Sequence, residues 1–491
     1  MKFEEFKILA KSYNQVPVYE KITADLLTPV TAYLKARNSG KPNFLLESVE
    51  GNESLARYSF IGTNPEIVIK NKGLNLTIIK NEQAENRKQS IFEFLKENFK
   101  NYNQPAIEGL PVFKGGLVGY LGYENIALIE KVISFDYPQS ANPDSIFGLY
   151  NTILAFDHYK HQIILIRNVK IDKDTNLEYA YNSAISEIKS LKKTLYQPLQ
   201  YNSDFKLLIK EESNIDSLEF YKQVNYAKQN IIEGDIFQVV LSKRFSSDFS
   251  GDPFNVYRAL RIINPSPYMY FLEFNDNFKI IGTSPEDLLK IKNGKAQVLP
   301  IAGTRKRGNT DEEQKRLEED LLKDPKEIAE HTMLLDLGRN DLGRVCKYGS
   351  IRVTEIMKLQ KYSHVIHLVS KVEGEIANDK DSIDALMSCF PAGTVSGAPK
   401  IRAMQLINDY EKDERNVYAG AVGYFDFSGN LDMCIAIRTL FTNGKTIFWQ
   451  SGAGIVADSK PELELKEIKN KSAALVTALK YAEVIDENIS D

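Results

Sequence analysis

Hydrophobic and polar positions follow two rhythms along this chain. Residues 43–48, 57–62, 66–70 and 74–79 are short apolar runs of the kind strands make, with Lys72-Gly73 as a turn between the last two. Residues 90–99 and 175–195 change to a 3.6-residue rhythm, which predicts amphipathic helices. Residues 1–35 carry helix signals broken at Pro17 and Pro29. A further strand pair is predicted at 146–156 and 162–170. Residues 196–214 are polar and irregular, predicting an N-terminal domain, 1–196, a linker, 197–214, and a C-terminal domain, 215–485. Beyond the linker, helices at 218–232 and 253–263 and strands at 236–245 and 268–274 begin an irregular mixture. A hairpin pairs 418–428 with 431–441. Such a mixture, with no regular strand–helix–strand repeat, predicts an α+β fold of large mixed, mostly antiparallel sheets flanked by helices.

Composition narrows the function classes. The 491 residues carry a net charge of -4, which argues against a polyanion-binding surface and hence against nucleic acid as a partner. Three cysteines, Cys346, Cys389 and Cys434, have no metal-ligand spacing and fit a reducing compartment. The N-terminus lacks an apolar signal core and no run reaches membrane-spanning length. The expectation is a cytoplasmic enzyme without a membrane partner.

Several stretches carry candidate chemistry. In residues 450–471, an aromatic strand is expected to enter a tight Gly452-Ala453-Gly454 loop whose bare backbone lets an anion approach closely. A helix follows, with Ser459 and Glu462 at capping-box spacing, Pro461 in the first turn, and Glu464 and Glu467 on one face. This suits an anion beside Mg2+, although an acidic pair on a helix alone reads as a solvated face. Residues 325–345 form a helix opened by Pro325. Glu330 there shares a stripe with Leu334 and Leu337, so it is either a metal ligand or the partner of a distant cation. His331 reads as a helix-packing residue. Residues 300–305, PIAGTR, set Gly303 and Thr304 after a strand, where a hydroxyl and an N–H could hold a ligand. His364 and His367 fall on opposite faces of a strand, so they cannot both ligate one metal. Residues 390–400 lead small residues into a helix N-terminus, a carboxylate or phosphate site, and Arg438 at a strand end could clamp a carboxylate. Residues 115–123, rich in Gly and aromatics, read as close backbone packing rather than a ligand loop.

Together these stretches resemble the chorismate-utilising enzymes, and among them the large subunit (component I) of anthranilate synthases. The matching segments are LLES at 45–48, ARYSFIG at 56–62, NPSPYM at 264–269, PIAGTR at 300–305, EHTMLLDLGRNDLGRV at 330–345, FPAGTVSGAPK at 390–400, YAGAVGYFDFSGNLDMCIAIRT at 418–439 and GAGIVADSKPELE at 452–464. They run in family order over nearly the whole chain. The resemblance implies conversion of chorismate and ammonia, by way of 2-amino-2-deoxyisochorismate, to anthranilate and pyruvate, the first step of tryptophan biosynthesis. It also implies a separate glutamine amidotransferase subunit (component II) as ammonia source, in a heterotetramer, and feedback inhibition by tryptophan.

By matching position, Glu330 and Glu467 would hold Mg2+ against the ring carboxylate. Gly303, Thr304, Tyr418, Arg438, Gly452, Ala453 and Gly454 would contact chorismate. Glu286 would protonate the departing C4 hydroxyl, and His367 would act in the elimination. Glu47, Ser48, Pro267, Tyr268 and Met269 would line the tryptophan pocket. Relatives that add water carry a lysine base where this chain has Gln238, and many aminodeoxychorismate synthases carry a lysine where it has Ala302. Both differences point to ammonia and anthranilate. The chain departs from the commoner pattern at Gly338 and Ala419, neither of which removes a functional group. The alternatives are an aminodeoxychorismate synthase component I, which keeps the enolpyruvyl group, and a non-catalytic tryptophan-sensing homologue, which the intact Glu286, Glu330, Arg438 and Glu467 disfavour.

Overall fold

A computed structural model describes residues 1–48, 57–135, 140–201, 204–208, 211–308, 310–361 and 365–487. His364 and Ala56, both singled out in the sequence, lie outside the described residues. Two large sheets, of 13 and 12 strands, stack face to face and are antiparallel throughout. This is the expected α+β class. Each sheet draws strands from both sides of residues 197–214. In the larger, Asn43–Glu47 pairs with Tyr268–Glu273, placing Glu47 opposite Met269. In the smaller, Gly116–Leu121 pairs with Ala421–Asp426.

The inner faces meet in an aromatic core. Phe44, Tyr270, Leu272, Phe278 and Phe441 from the larger sheet pack against Val118, Tyr120, Ile146, Val422 and Cys434 from the smaller. Tyr120 lies 5.7 Å, ring centre to ring centre, from both Phe274 and Phe278, a separation at which aromatic pairs add to area burial. Helices Phe254–Ile263, Ser217–Ile232 and Pro461–Ala482 cover the outer face of the larger sheet, and Pro325–Gly343 covers part of the smaller. Among the described residues no helix is long and apolar enough to cross a membrane.

The differences from the expected elements have local causes. Pro17 lies inside the strand Gln15–Thr23 rather than breaking a helix. That strand ends the sheet, so the missing N–H costs no ladder bond. Gly116–Leu121 is a buried strand, and a Cβ on Gly119 would come within 2.0 Å of the Ile146 carbonyl, so close packing explains its glycines. The strand Gln83–Lys88 was not foreseen; all six residues are exposed and all but Ala84 are polar, so no apolar alternation marks it.

Candidate active site

The residues expected at the site come from eight segments: the turn of Glu286, the strands of Gly303 and Thr304, of His367 and of Gly452–Gly454, the helices of Glu330 and of Glu467, and the connections that carry Tyr418 and Arg438. Gly452-Ala453-Gly454 does not form a loop. It lies inside the strand Thr446–Ile455, paired with Leu241, Ser242 and Val240 of Gln238–Gly251. The glycines are there because side chains arrive from elsewhere. A Cβ on Gly454 would sit 2.4 Å from the Gln238 amide nitrogen, and one on Gly452 would sit 2.5 Å from the Tyr418 hydroxyl. Ala453 points the other way, fully buried in the outer core, so only its backbone borders the site.

The helix Pro461–Ala482 begins one residue later than its sequence suggests, with Lys460 as N-cap and no side-chain cap. The Ser459–Glu462 capping box does not form. Ser459 Oγ instead accepts from Val456 N at 3.1 Å, tightening the turn that leads in from the strand. The helix presents Glu464, Glu467 and Lys471. Lys471 Nζ donates to the Gly452 carbonyl at 3.0 Å and pairs with Glu467 at 2.7 Å, and Arg438 donates to the Lys471 carbonyl at 3.0 Å. Arg438 is not at a strand end: Leu431–Ile435 stops three residues earlier. Arg438 adopts φ +51° just before Thr439–Asn443, which turns its side chain toward the helix. Burial holds its guanidinium below the ordinary arginine range, with Tyr418 offsetting part of the effect. Burial pushes the Tyr418 hydroxyl up to about 12.

Across from this helix stands Pro325–Gly343, capped by the Asp324 carboxylate. Burial, and then the nearby Glu327, hold the Glu330 carboxyl above its usual range, while the Gln238 amide, Lys326 and Lys471 act the other way. Glu464 is likewise raised by burial and by Glu467, against Ser459, Lys326 and Lys471. Glu330 and Glu464 thus feel the same two lysines from facing helices. The donors are hard carboxylate oxygens, two of them held reluctant to ionise, a state a divalent cation would relieve. Among the described residues no three His, Cys, Asp or Glu side chains converge tightly enough to enclose a metal. A carboxylate pair completed by water and substrate oxygens is the way Mg2+ is commonly held, so the residues present fit that ion.

Gly303 and Thr304 lie within the strand Ile301–Lys306, at a bulge opposite Leu368 and His367, rather than after a strand. Gly303 has φ +70°, and a Cβ there would meet Leu321 at 3.0 Å and the Glu327 carboxylate at 3.2 Å. His367 Nδ1 is 3.0 Å from the Gly303 carbonyl and 3.0 Å from Thr304 Oγ1. A carbonyl only accepts, so Nδ1 carries the proton and the basic lone pair is on Nε2. Burial lowers the imidazole pKa, and the charge of Arg438 adds to this. His331 is buried and bonds Ser370 Oγ at 2.6 Å, a packing residue as expected.

Glu286 sits between the strands Lys279–Ser284 and Asp287–Lys292. Burial, helped by Asp287, pushes its carboxyl up to about 7, against Thr394 and Lys471. A cavity of about 60 Å³ opens beside it, walled by Leu334, Leu337 and Gly393 and reaching Asp341.

The five residues expected to bind tryptophan divide between two faces of one strand pair. Glu47 and Met269 face the covering helix. There Glu47 accepts from Arg261 at 3.0 and 3.3 Å and from the Tyr257 hydroxyl. Tyr268 turns to the inner face and donates to Asp432 at 2.8 Å. The Ser48 hydroxyl is buried and has no hydrogen-bond partner among the described residues, and Pro267 is half-buried.

Glu464, paired with Glu467 in the sequence but not assigned as a metal ligand, stands among these residues, as do Lys471 and Glu327, which were not singled out in the sequence. Glu464 was visible as the i, i+3 partner of Glu467. Glu327 bears the same spacing to Glu330, and Lys471 is one turn beyond Glu467, so helical periodicity could have found all three.

The profile of the chorismate binding enzyme family matches residues 41–477. Anthranilate synthase component 1 of Acetivibrio thermocellus is 45% identical, over 98% of both chains. That of Aquifex aeolicus is 44% identical, over 99% of both. The chain belongs to the chorismate-binding enzymes and, within them, to the anthranilate synthase component 1 family. Among solved structures, anthranilate synthase component I from Streptococcus pneumoniae superposes with a TM-score of 0.77 at 37% identity, covering 93% of this chain and 99% of that one. The menaquinone-specific isochorismate synthase of Escherichia coli superposes with a TM-score of 0.71 at 18% identity, covering 97% and 98%, and shares the fold.

Proposed function

We propose that this protein converts chorismate and ammonia to anthranilate and pyruvate in tryptophan biosynthesis. The observation that carries the reading is the buried carboxyl of Glu286, which lines a cavity, is pushed up to about 7, and lies within electrostatic reach of Lys471, whose backbone carbonyl accepts from Arg438. Arg438 and Lys471 are cations suited to the carboxylates of chorismate, and Tyr418 supplies a hydroxyl beside them. Glu286 is protonated in a large fraction of molecules near neutral pH, as a general acid for the departing C4 hydroxyl must be. Gln238, whose amide faces Glu330, cannot take a proton from water, which leaves ammonia as the nucleophile. His367, neutral with its lone pair on Nε2, is suited to accept a proton in the elimination of pyruvate.

Mg2+ belongs to this reading. Glu330 and Glu467 would hold it, with Glu327 and Glu464 beside them, and when bound it supplies a Lewis acid to the ring carboxylate. The charges of Lys326 and Lys471 offset part of the burial of Glu330 and Glu464. The ammonia source is a glutamine amidotransferase subunit, in keeping with the component 1 names of the relatives, in a heterotetramer in the cytoplasm. Tryptophan is the feedback inhibitor, bound on the inner face by Ser48, Pro267 and Tyr268, with Glu47 and Met269 contributing backbone because the Glu47 carboxylate is already engaged by Arg261. The test is fluorescence of the purified chain with chorismate, an ammonium salt and Mg2+. Anthranilate emission that EDTA removes and Glu467→Ala abolishes is expected. A non-emitting product that a separate lyase turns into 4-aminobenzoate would overturn the reading.

A further inference from the structure

Arg415 is among the largest fully buried side chains. Its backbone carbonyl accepts from the Tyr418 N–H at 3.0 Å, and its guanidinium bonds none of the residues that would contact chorismate. Its guanidinium forks onto Glu411, at 2.8 and 2.7 Å, and donates to the carbonyls of Val395 at 2.7 Å and Val240 at 2.8 Å. Its Cζ lies 4.8 Å from the ring centre of Tyr123 and 5.6 Å from that of Tyr418. Glu411 in turn accepts from the backbone N and the hydroxyl of Ser242, both at 2.8 Å, and Ser242 accepts from Gln450 at 2.7 Å. Glu124 holds the backbone N–H groups of Arg415 and Asn416, at 2.8 and 3.0 Å.

Apart from those to Tyr123 and Glu124, these contacts end on segments that carry a site residue. Val240 is two residues from Gln238, Val395 is next to Thr394, which faces Glu286, and Gln450 is two residues before Gly452. Tyr418 is itself against the guanidinium. A buried ion pair is a costly way to fill a core, since apolar residues of like volume stabilise as well or better. What a guanidinium adds is fixed geometry, with donors in a rigid plane that sets several backbones at once.

We propose that Arg415 is a positioning residue for the chorismate site, fixing the Tyr418 hydroxyl against Gly452 and the strand that carries Gln238. This rests on the reading of Tyr418 as a chorismate contact. The test compares three variants of the full chain by steady-state kinetics with ammonium as nitrogen source, alongside thermal unfolding. Arg415→Lys keeps the charge opposite Glu411 but loses the fork to Val240 and Val395. It is expected to raise the KM for chorismate about tenfold, the worth of one displaced hydrogen bond, with kcat changed less than about threefold. Tyr123→Leu removes the ring nearer to the guanidinium without stranding a charge, and is expected to raise KM in the same direction if Arg415→Lys does not fold. Tyr418→Phe is the reference. If it raises KM while the Arg415 and Tyr123 variants bind chorismate like the parent, with only the melting temperature lowered, Arg415 is structural and the inference is overturned. If Tyr418→Phe itself leaves KM unchanged, the contact reading fails, and the inference with it.

Discussion

Replacing Glu286 with glutamine should abolish turnover and stabilise the fold, with a pH dependence that identifies the carboxyl. Burial and Asp287 hold Glu286 at about 7, against 4.5 for an unperturbed glutamate. Below 4.5 the carboxyl is protonated in the folded and unfolded chains alike, and contributes nothing to the difference between them. As pH rises from 4.5 toward 7 the unfolded chain gives up its proton first, so folding loses stability; above 7 the loss is constant. Ionising a group held that far up costs about 3 kcal/mol. Solvent reaches part of this side chain, so about 1–3 kcal/mol is the range to expect. Glutamine keeps the shape and carries no such penalty. With an unfolding entropy near 2 cal/mol/K per residue, a chain of this length gains about 1 °C per kcal/mol. Glu286→Gln should therefore melt with the parent near pH 4 and about 1–3 °C above it at pH 8–9, measured by circular dichroism. Turnover should fall by about 10²–10⁴, the range of a lost general acid. A melting difference that does not change with pH would refute the burial argument, and full activity in the variant would refute the acid role.

The other expectations follow from geometry. Gly454→Ala places a methyl 2.4 Å from the Gln238 amide nitrogen, so chorismate KM should rise at least about tenfold while the melting temperature changes by only a few degrees. Glu464→Gln should weaken the Mg2+ dependence of the rate about 10-fold or more, read as the Mg2+ concentration for half-maximal velocity; an unchanged titration would remove Glu464 from the cation site. Tyr268→Phe removes the hydroxyl bonded to Asp432 and should raise the tryptophan concentration for half inhibition several-fold without altering uninhibited velocity; equal sensitivity would place the inhibitor elsewhere.

Much of the fold was legible because its elements obey local rules. The strand Asn43–Glu47 is an apolar run, Ser90 caps the helix Ile91–Phe99 through its hydroxyl, and Pro325 opens the helix that carries Glu330. What misled was glycine. In Gly452-Ala453-Gly454 small residues read as a loop, whereas they clear space in a strand for Tyr418 and Gln238, two side chains from distant segments. The register of strands far apart in sequence is equally hidden, which is why the placement of Glu47 and Tyr268 on opposite faces could not be read from LLES and PYM. Arg415 gave no local signal. Its importance comes from Glu411, Val240, Val395 and Tyr123, which only the fold assembles around it.

The central claim is that ammonia enters the ring of chorismate and pyruvate leaves on one protein. Mass spectrometry of the products formed by the purified chain from chorismate, Mg2+ and ¹⁵N-ammonium tests it most directly. ¹⁵N-anthranilate and pyruvate are expected in equal amounts. A labelled product that retains the enolpyruvyl group, or unlabelled isochorismate, would contradict it.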